Sequence, residues 1–258
     1  MNKISIILPC AGSGTRLGLE YPKELHEISE NFRLIDFSLN HILQFKKDNP
    51  ESDLRVVLVV RPHKESVFKY AEERLKNTGI EVIKEFFNEK YYDCAGSIYS
   101  ANGYFGDLNI ALLPDSVIRL AKDSVYIYES GKTLLAEMAE KMKNNDVVFA
   151  YQPCSDKEKL KALGALFVSG GKVLSFCDKP DKDFEKYNAF WTAYGFKRES
   201  GLPLYEFIRE SVLHKNPDYS KQGFYPAAGL PVYSYCDLGT WDNIKAFLSK
   251  ESISEYKI

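Results

Sequence analysis

Residues 4–17 read ISIILPCAGSGTRL, and residues 21–25 read YPKEL. Ile4 to Leu8 form an apolar, β-rich run that stops at Pro9. A continuous run of this kind predicts a strand buried on both faces, as in a parallel sheet. A loop of small residues follows. Small residues let backbone N–H groups approach a polyphosphate closely, and a fixed ring of such groups binds anions. Arg16 and Lys23 add two positive charges that the intervening chain can fold onto one triphosphate. Guanidinium suits bidentate phosphate contact, and ammonium acts as a mobile point charge. The loop is not the GxxxxGK(S/T) type, because no lysine follows the second glycine. It is not GxGxxG either, because the third glycine is missing.

The rest of the first 150 residues alternates strand and helix patterns. Leu34 to Phe45 carries apolar residues at helical spacing, and Val56 to Val60 is a β-branched run closed by Arg61 and Pro62. A helix is predicted from Lys64 to Leu75, a strand from Ile80 to Phe86, and a short helix from Ala95 to Tyr104. Asn109 to Leu113 is a strand stopped by Pro114 and Asp115. Thr133 to Lys143 is a helix and Val147 to Tyr151 a strand. This alternation predicts an α/β, Rossmann-like fold with a mostly parallel sheet flanked by helices. Beyond residue 150, Gly164 to Val168 and Lys172 to Cys177 flank a Ser-Gly-Gly turn and predict a hairpin. Further elements are a strand at Asn188 to Phe196, a helix at Leu204 to Leu213, a strand at Pro231 to Tyr235 and a helix at Trp241 to Leu248. The expected organisation is a single domain over 1–258. About 1–150 would be its nucleotide-binding part, and about 151–258 a smaller β annex on the same sheet.

Composition narrows the classes. The chain has 258 residues, 45% hydrophobic and 27% charged, with a formal net charge of −2. That charge gives no long-range attraction to nucleic acid or an anionic membrane. The five cysteines form no CxxC pair or zinc spacing and read as reduced thiols, so a cytoplasmic location is expected. No stretch has the apolar length of a membrane span. The four histidines form no HxxxH or HExxH pattern, and His41 reads as structural.

Within this frame the loop and lysine, GSGTRL followed by Pro22-Lys23, resemble the N-terminal motif of the sugar-phosphate nucleotidyltransferases. That family includes thymidylyl-, uridylyl-, cytidylyl- and adenylyl-transferring enzymes and has a GT-A-like fold. Phe32 to Leu39 also resembles a segment of ADP-glucose pyrophosphorylases. The resemblance runs from Leu8 to Thr240 in short islands. It implies that Leu8, Ala11, Gly12, Ser13, Gly14 and Thr15 bind the nucleotide, and that Arg16 and Lys23 are catalytic. Leu112-Leu113-Pro114-Asp115 ends a strand where ligands of open α/β sheets bind, and the resemblance makes Asp115 a ligand of Mg²⁺. Cys236-Asp237-Leu238-Gly239-Thr240 is similar to the family's Asp-x-Gly-Thr segment, which makes Asp237 the second carboxylate. Mg²⁺ is content with one or two carboxylates plus phosphates and water. A turn at Asp115 and a helix cap at Asp237 or Thr240 are the structural alternatives.

Gly164, followed by Asp178-Lys179-Pro180, resembles the family's glycine strand and Glu-Lys-Pro ending. Lys179 would hold the acceptor phosphate, Gly164 and Asn188 would approach the sugar, and Asp178 stands where glutamate is usual. Gly96 and Ser97 lie where the family reads the base, or else they simply open a helix. The implied partners are a nucleoside triphosphate and a sugar 1-phosphate or similar small phosphate, with a homo-oligomer left open. A non-sugar acceptor such as phosphocholine or glycerol phosphate remains an alternative, as does a non-catalytic nucleotide-sensing module. A glycosyltransferase would show an Asp-x-Asp pair, which Asp115-Ser116-Val117 does not supply.

Overall fold

β1 (Ile4–Pro9) is buried along almost its whole length, with Ile6, Ile7 and Leu8 fully enclosed. Each such side chain contributes roughly 2 kcal/mol on burial. In this computed structural model, which describes residues 2–215 and 226–258, β1 pairs in parallel with β4 (Leu54–Val60) and β6 (Leu108–Leu112). β5 (Glu81–Phe86) continues the parallel set beyond β4.

On the other side of β6 lies β11 (Ala189–Lys197), antiparallel to it, then β8 (Val147–Pro153) and β12 (Ala227–Pro231). The hairpin β9 (Gly164–Ser169) and β10 (Lys172–Asp178) completes a nine-stranded sheet, ordered β5-β4-β1-β6-β11-β8-β12-β10-β9. β11 also pairs with β9, so the annex strands curl back on themselves. Only β10 and β11 run against the other strands of this sheet.

Helices cover both faces. α1 (Asp36–Asp48), α2 (Glu65–Arg74) and α4 (Leu134–Met142) pack on the side of Ile4, Ile6 and Leu8. α3 (Asp93–Ser100) and α6 (Gly201–His214) pack on the side of Ile7, Val57 and Val59. α5 (Lys157–Leu160) seals the annex hairpin through Leu160.

Two small ribbons stand outside the large sheet. One is β2 (Glu27–Ser29) with β3 (Phe32–Arg33). The other is β7 (Ser116–Arg119) with β13 (Ser234–Asp237), joined Ser116 to Asp237 and Arg119 to Ser234. α7 (Trp241–Leu248) follows, capped by the Thr240 hydroxyl accepting from Asn243 N–H. The ribbon is locked by the chain's last turn. Arg119 bonds Glu251 at 3.0 Å and Glu255 at 2.5 Å, and the Tyr256 carbonyl accepts from Asn40 and from Tyr126, each at 2.6 Å. The segment expected as one strand, Pro231 to Tyr235, is instead split. β12 ends at Pro231, the chain bends at Val232 and Tyr233, and β13 pairs with a different partner. Among the described residues no helix is long and apolar enough to cross a membrane.

Candidate active site

The carboxyl ends of β1, β4 and β6 open into a cavity of about 450 Å³. Its floor carries the loop after β1, and among the described residues nothing accepts a hydrogen bond from the backbone N–H of Ala11, Gly12, Ser13, Gly14, Thr15 or Arg16. Ala11, Gly12 and Ser13 line the cavity. A row of unsatisfied N–H groups at a strand end is a binding surface for anions. Leu8, expected among the nucleotide contacts, is fully buried in the core, so its side chain is structural. Gly14 adopts φ +68° and passes over the stem of Lys23.

The four charged residues singled out in the sequence converge. The Lys23 ammonium is paired with Asp115, and both side chains are largely buried. Desolvation alone would lower the Lys23 pKa, but the charge and hydrogen bond of Asp115 outweigh it and raise it. Arg16 Nη1 lies 3.3 Å from Asp237 Oδ2 in a more exposed position. Asp237 Oδ1 accepts from Gly239 N–H at 2.7 Å. A Cβ on Gly239 would sit 2.5 Å from Arg16 Nη2 and 2.8 Å from Asp237 Oδ1, so any other residue would make the side-chain ends of this pair shift.

The β7–β13 ribbon brings the two aspartates together from distant positions in the chain. Leu238 N–H donates to the Asp115 carbonyl at 2.9 Å, and both carboxylates line the cavity. They offer oxygen donors alone, which suits a hard cation shared with phosphates and water. Among the described residues no three His, Cys, Asp or Glu gather into a metal cage. The Trp241 indole donates to the Leu17 carbonyl at 3.0 Å and anchors the exit of the loop.

The wall formed by α3 brings Asp93, Cys94 and Ser97 to the cavity. The Ser97 hydroxyl is buried with no partner among the described residues, so it is available to a ligand. Gly96 does not line the cavity. It packs on Tyr91, where a Cβ would lie 2.8 Å from the backbone, and its N–H bonds Tyr92. Its contribution is to hold α3 close. Desolvation, reinforced by the charge of Asp93, pushes the Cys94 thiol up to about 12, which leaves it a poor nucleophile.

The acceptor-side residues are less concentrated. The Asp178 carboxylate lies 3.7 Å from the Lys215 ammonium, and burial raises its pKa. The charge of Asp93 adds to that rise. Lys179 follows in a left-handed conformation, φ +46°, with an exposed side chain. Asn188 is not brought to the cavity. Its carboxamide accepts from Val168 N–H and donates to Val168 C=O, both at 2.9 Å, and so substitutes for strand pairing. Gly164 is also not open to a ligand on its Cβ side, because a Cβ there would lie 1.9 Å from Trp191 Nε1. The indole occupies that space.

Other residues of the site had not been singled out. Arg61 lines the cavity, donates to the Ala11 carbonyl at 3.0 Å and to Glu89 at 3.0 Å, and lies 4.9 Å over the Phe87 ring. It directly follows β4, and the rule that marks Asp115 after β6 also marks Arg61. Lys64 and Glu24 form a buried pair below the loop, for which the sequence carries no signal. Tyr235 lines the cavity and bonds the Ser116 hydroxyl at 2.8 Å.

Comparison with solved structures bears on this arrangement. A UDP-glucose pyrophosphorylase from Acinetobacter baumannii matches over 98% of this chain and 94% of its own, with a TM-score of 0.71 and 14% identity. A UDP-glucose pyrophosphorylase in complex with UDP-glucose matches 97% of this chain and all of its own, with a TM-score of 0.69 and 15% identity. A Bacillus anthracis protein assigned as a glucose-1-phosphate thymidylyltransferase matches 97% and 96%, with a TM-score of 0.67 and 14% identity. This chain has the pyrophosphorylase fold. At such low identity the likeness is one of fold, and it extends over nearly the whole of both chains. No family model and no curated protein sequence matches the chain. In the pyrophosphorylase fold as it occurs here, the sheet is continuous from the phosphate-loop half into the annex.

Proposed function

We propose that this chain is a nucleotidyltransferase that moves a nucleoside monophosphate from a nucleoside triphosphate to a sugar 1-phosphate and releases pyrophosphate. One observation carries the reading: Lys23, Arg16, Asp115 and Asp237 meet in one cavity that is also lined by a loop of unsatisfied N–H groups. The fold shared with structures bound to UTP and to UDP-glucose supports the substrate class.

In the reaction, a phosphate oxygen of the acceptor attacks the α-phosphorus in line. The new P–O bond forms as the bond to the bridging oxygen of pyrophosphate breaks. No side chain has to act as a nucleophile. The loop N–H groups from Ala11 to Thr15 hold the triphosphate, and Arg16 and Lys23 neutralise the charge that builds on its oxygens. Lys179 is assigned to the acceptor phosphate. Ser97 is assigned to the base. Asp115 and Asp237 would hold Mg²⁺, which would supply charge neutralisation for phosphate oxygens.

A second reading, with a non-sugar phosphate such as phosphocholine as acceptor, is favoured by one feature. Asn188 is engaged on Val168, and Trp191 covers Gly164, so two expected sugar contacts are already used within the protein. The test is pyrophosphate release from five triphosphates (ATP, GTP, CTP, UTP and dTTP), each with Mg²⁺ and either glucose 1-phosphate or phosphocholine. Release with one acceptor and one preferred base is expected, and Lys23→Ala or Asp115→Ala should abolish it. No release from any pair, or near-normal release by both variants, would refute the assignment.

A further inference from the structure

Lys64 is a lysine with almost no access to solvent. Its side chain is 3% exposed, and that of its partner Glu24 is 0% exposed. The ammonium donates to Glu24 Oε1 at 2.8 Å, to Oε2 at 2.9 Å and to the Cys10 carbonyl at 2.9 Å. Removing two charges from water costs so much that an apolar pair of similar volume is often equally stable or more so. The pKa of Glu24 reflects this, since burial raises it despite the opposing charge of Lys64. Stability alone therefore gives no reason for the pair.

The contacts suggest what the pair does. Cys10 precedes the phosphate loop and Glu24 follows Lys23, so one ammonium ties the two ends of residues 11–23 together. A trans peptide holds its C=O and N–H in opposite directions. With the Cys10 carbonyl held by Lys64, the N–H of Ala11 must point away from that buried ammonium. With the Ala11 carbonyl held by Arg61, the N–H of Gly12 must point away from the guanidinium. Neither N–H meets an acceptor among the described residues, and both residues line the cavity.

We infer that Lys64 and Arg61, acting with Glu24, are positioning residues that aim the loop N–H groups at the phosphates and set Lys23 against Asp115. The inference rests on the proposed triphosphate role of the cavity and names what makes that cavity rigid. Neither Lys64 nor Glu24 touches the substrate.

The test measures calorimetric binding of inorganic tripolyphosphate to the full chain, together with thermal unfolding. Lys64→Met leaves the Glu24 carboxylate buried and alone, and should destabilise the protein. The double variant Lys64→Met with Glu24→Met should recover the parent unfolding temperature yet bind tripolyphosphate about tenfold more weakly or worse. A purely structural pair predicts the reverse, with binding recovering as stability does. Parent-like affinity in the folded double variant overturns the inference and leaves the proposed function standing. Absence of tripolyphosphate binding in the parent overturns both, and is read from the parent alone. Should the double variant not fold, Arg61→Lys takes its place. It keeps a charge at the cavity edge but loses the planar fork that reaches Ala11 and Glu89 together, and should weaken binding about fivefold. Unchanged affinity in Arg61→Lys overturns the inference.

Discussion

The residues expected to hold the nucleotide and those expected to meet the acceptor are built into the fold differently. On the nucleotide side, five separate segments contribute: the loop after β1, Lys23, Arg61, Asp115 and Asp237. Lys23 is bonded to Asp115, Arg16 of the loop to Asp237, and Arg61 to the Ala11 carbonyl of the loop. On the acceptor side, Asp178 and Lys179 hang on the end of one hairpin. Asn188 and Gly164 serve the sheet itself. The triphosphate half is thus mutually constrained, and a change in one residue is felt by the others. In the proposed reaction, the acceptor residues at the end of the hairpin can change at smaller cost to the rest.

That contrast can be broken first by activity. Asp115→Asn and Lys23→Met should each slow pyrophosphate release by roughly a hundred- to a thousandfold. The cavity admits water to the partner left behind, so the variants should remain folded by circular dichroism. Lys179→Ala should instead raise the acceptor KM about tenfold with little change in the triphosphate KM. Equal loss in all three would erase the distinction between the sides.

Acidification probes the same contrast through stability. His41 is buried on α1, its Nε2 3.1 Å from the carbonyl of Ile118 on β7, and it packs edge-on to Tyr126. Desolvation lowers its pKa to about 4, against the hydrogen bond that favours its charged form. A folded pKa below the unfolded one means that the unfolded chain binds the proton first. Stability is therefore full at neutral pH and falls as pH drops from about 6.5 towards 4, by up to about 3 kcal/mol. Denaturant midpoints at pH 7 and pH 5 should show this drop, and His41→Gln should flatten it. Because β7 follows Asp115, amide exchange should rise on β7 before it rises on β9 or β10.

The smallest effect is expected from Asn188→Ala. It removes two hydrogen bonds to Val168 and should cost about 1–2 kcal/mol in denaturant unfolding. It should leave both KM values unchanged. A large rise in acceptor KM would put Asn188 back among the ligand contacts.

Sequence reading reached Arg16, Lys23, Asp115 and Asp237, which the structure brings into one cavity, because they lie in motifs at or just after strand ends. Asp115 is marked by β6 and Pro114, and Arg16 by the glycine loop. Arg61 carries the same mark but reads as the end of a strand beside a proline. Lys64 and Glu24 carry none, since a lysine and a glutamate in polar surroundings look solvated until the tertiary structure buries them. Of the elements that were missed, β2, β3, β7 and α5 span two to four residues, while β12 and β13 stand where a single strand was expected. They owe their form to partners elsewhere in the chain, which periodicity cannot register. Asn188 was misplaced for a related reason: its carboxamide imitates a backbone group, and nothing in the sequence marks that use.

The β7–β13 ribbon gives the molecule a timetable. Ser116 leaves the ribosome well before its partner Asp237 and the locking Tyr256. A nascent chain can form its loop and most of its parallel strands well before it owns a second carboxylate. In the proposed reaction, chemistry should switch on only once β13 has paired with β7, so variants that free Arg119 from Glu251 and Glu255 should lose activity while the large sheet stays intact.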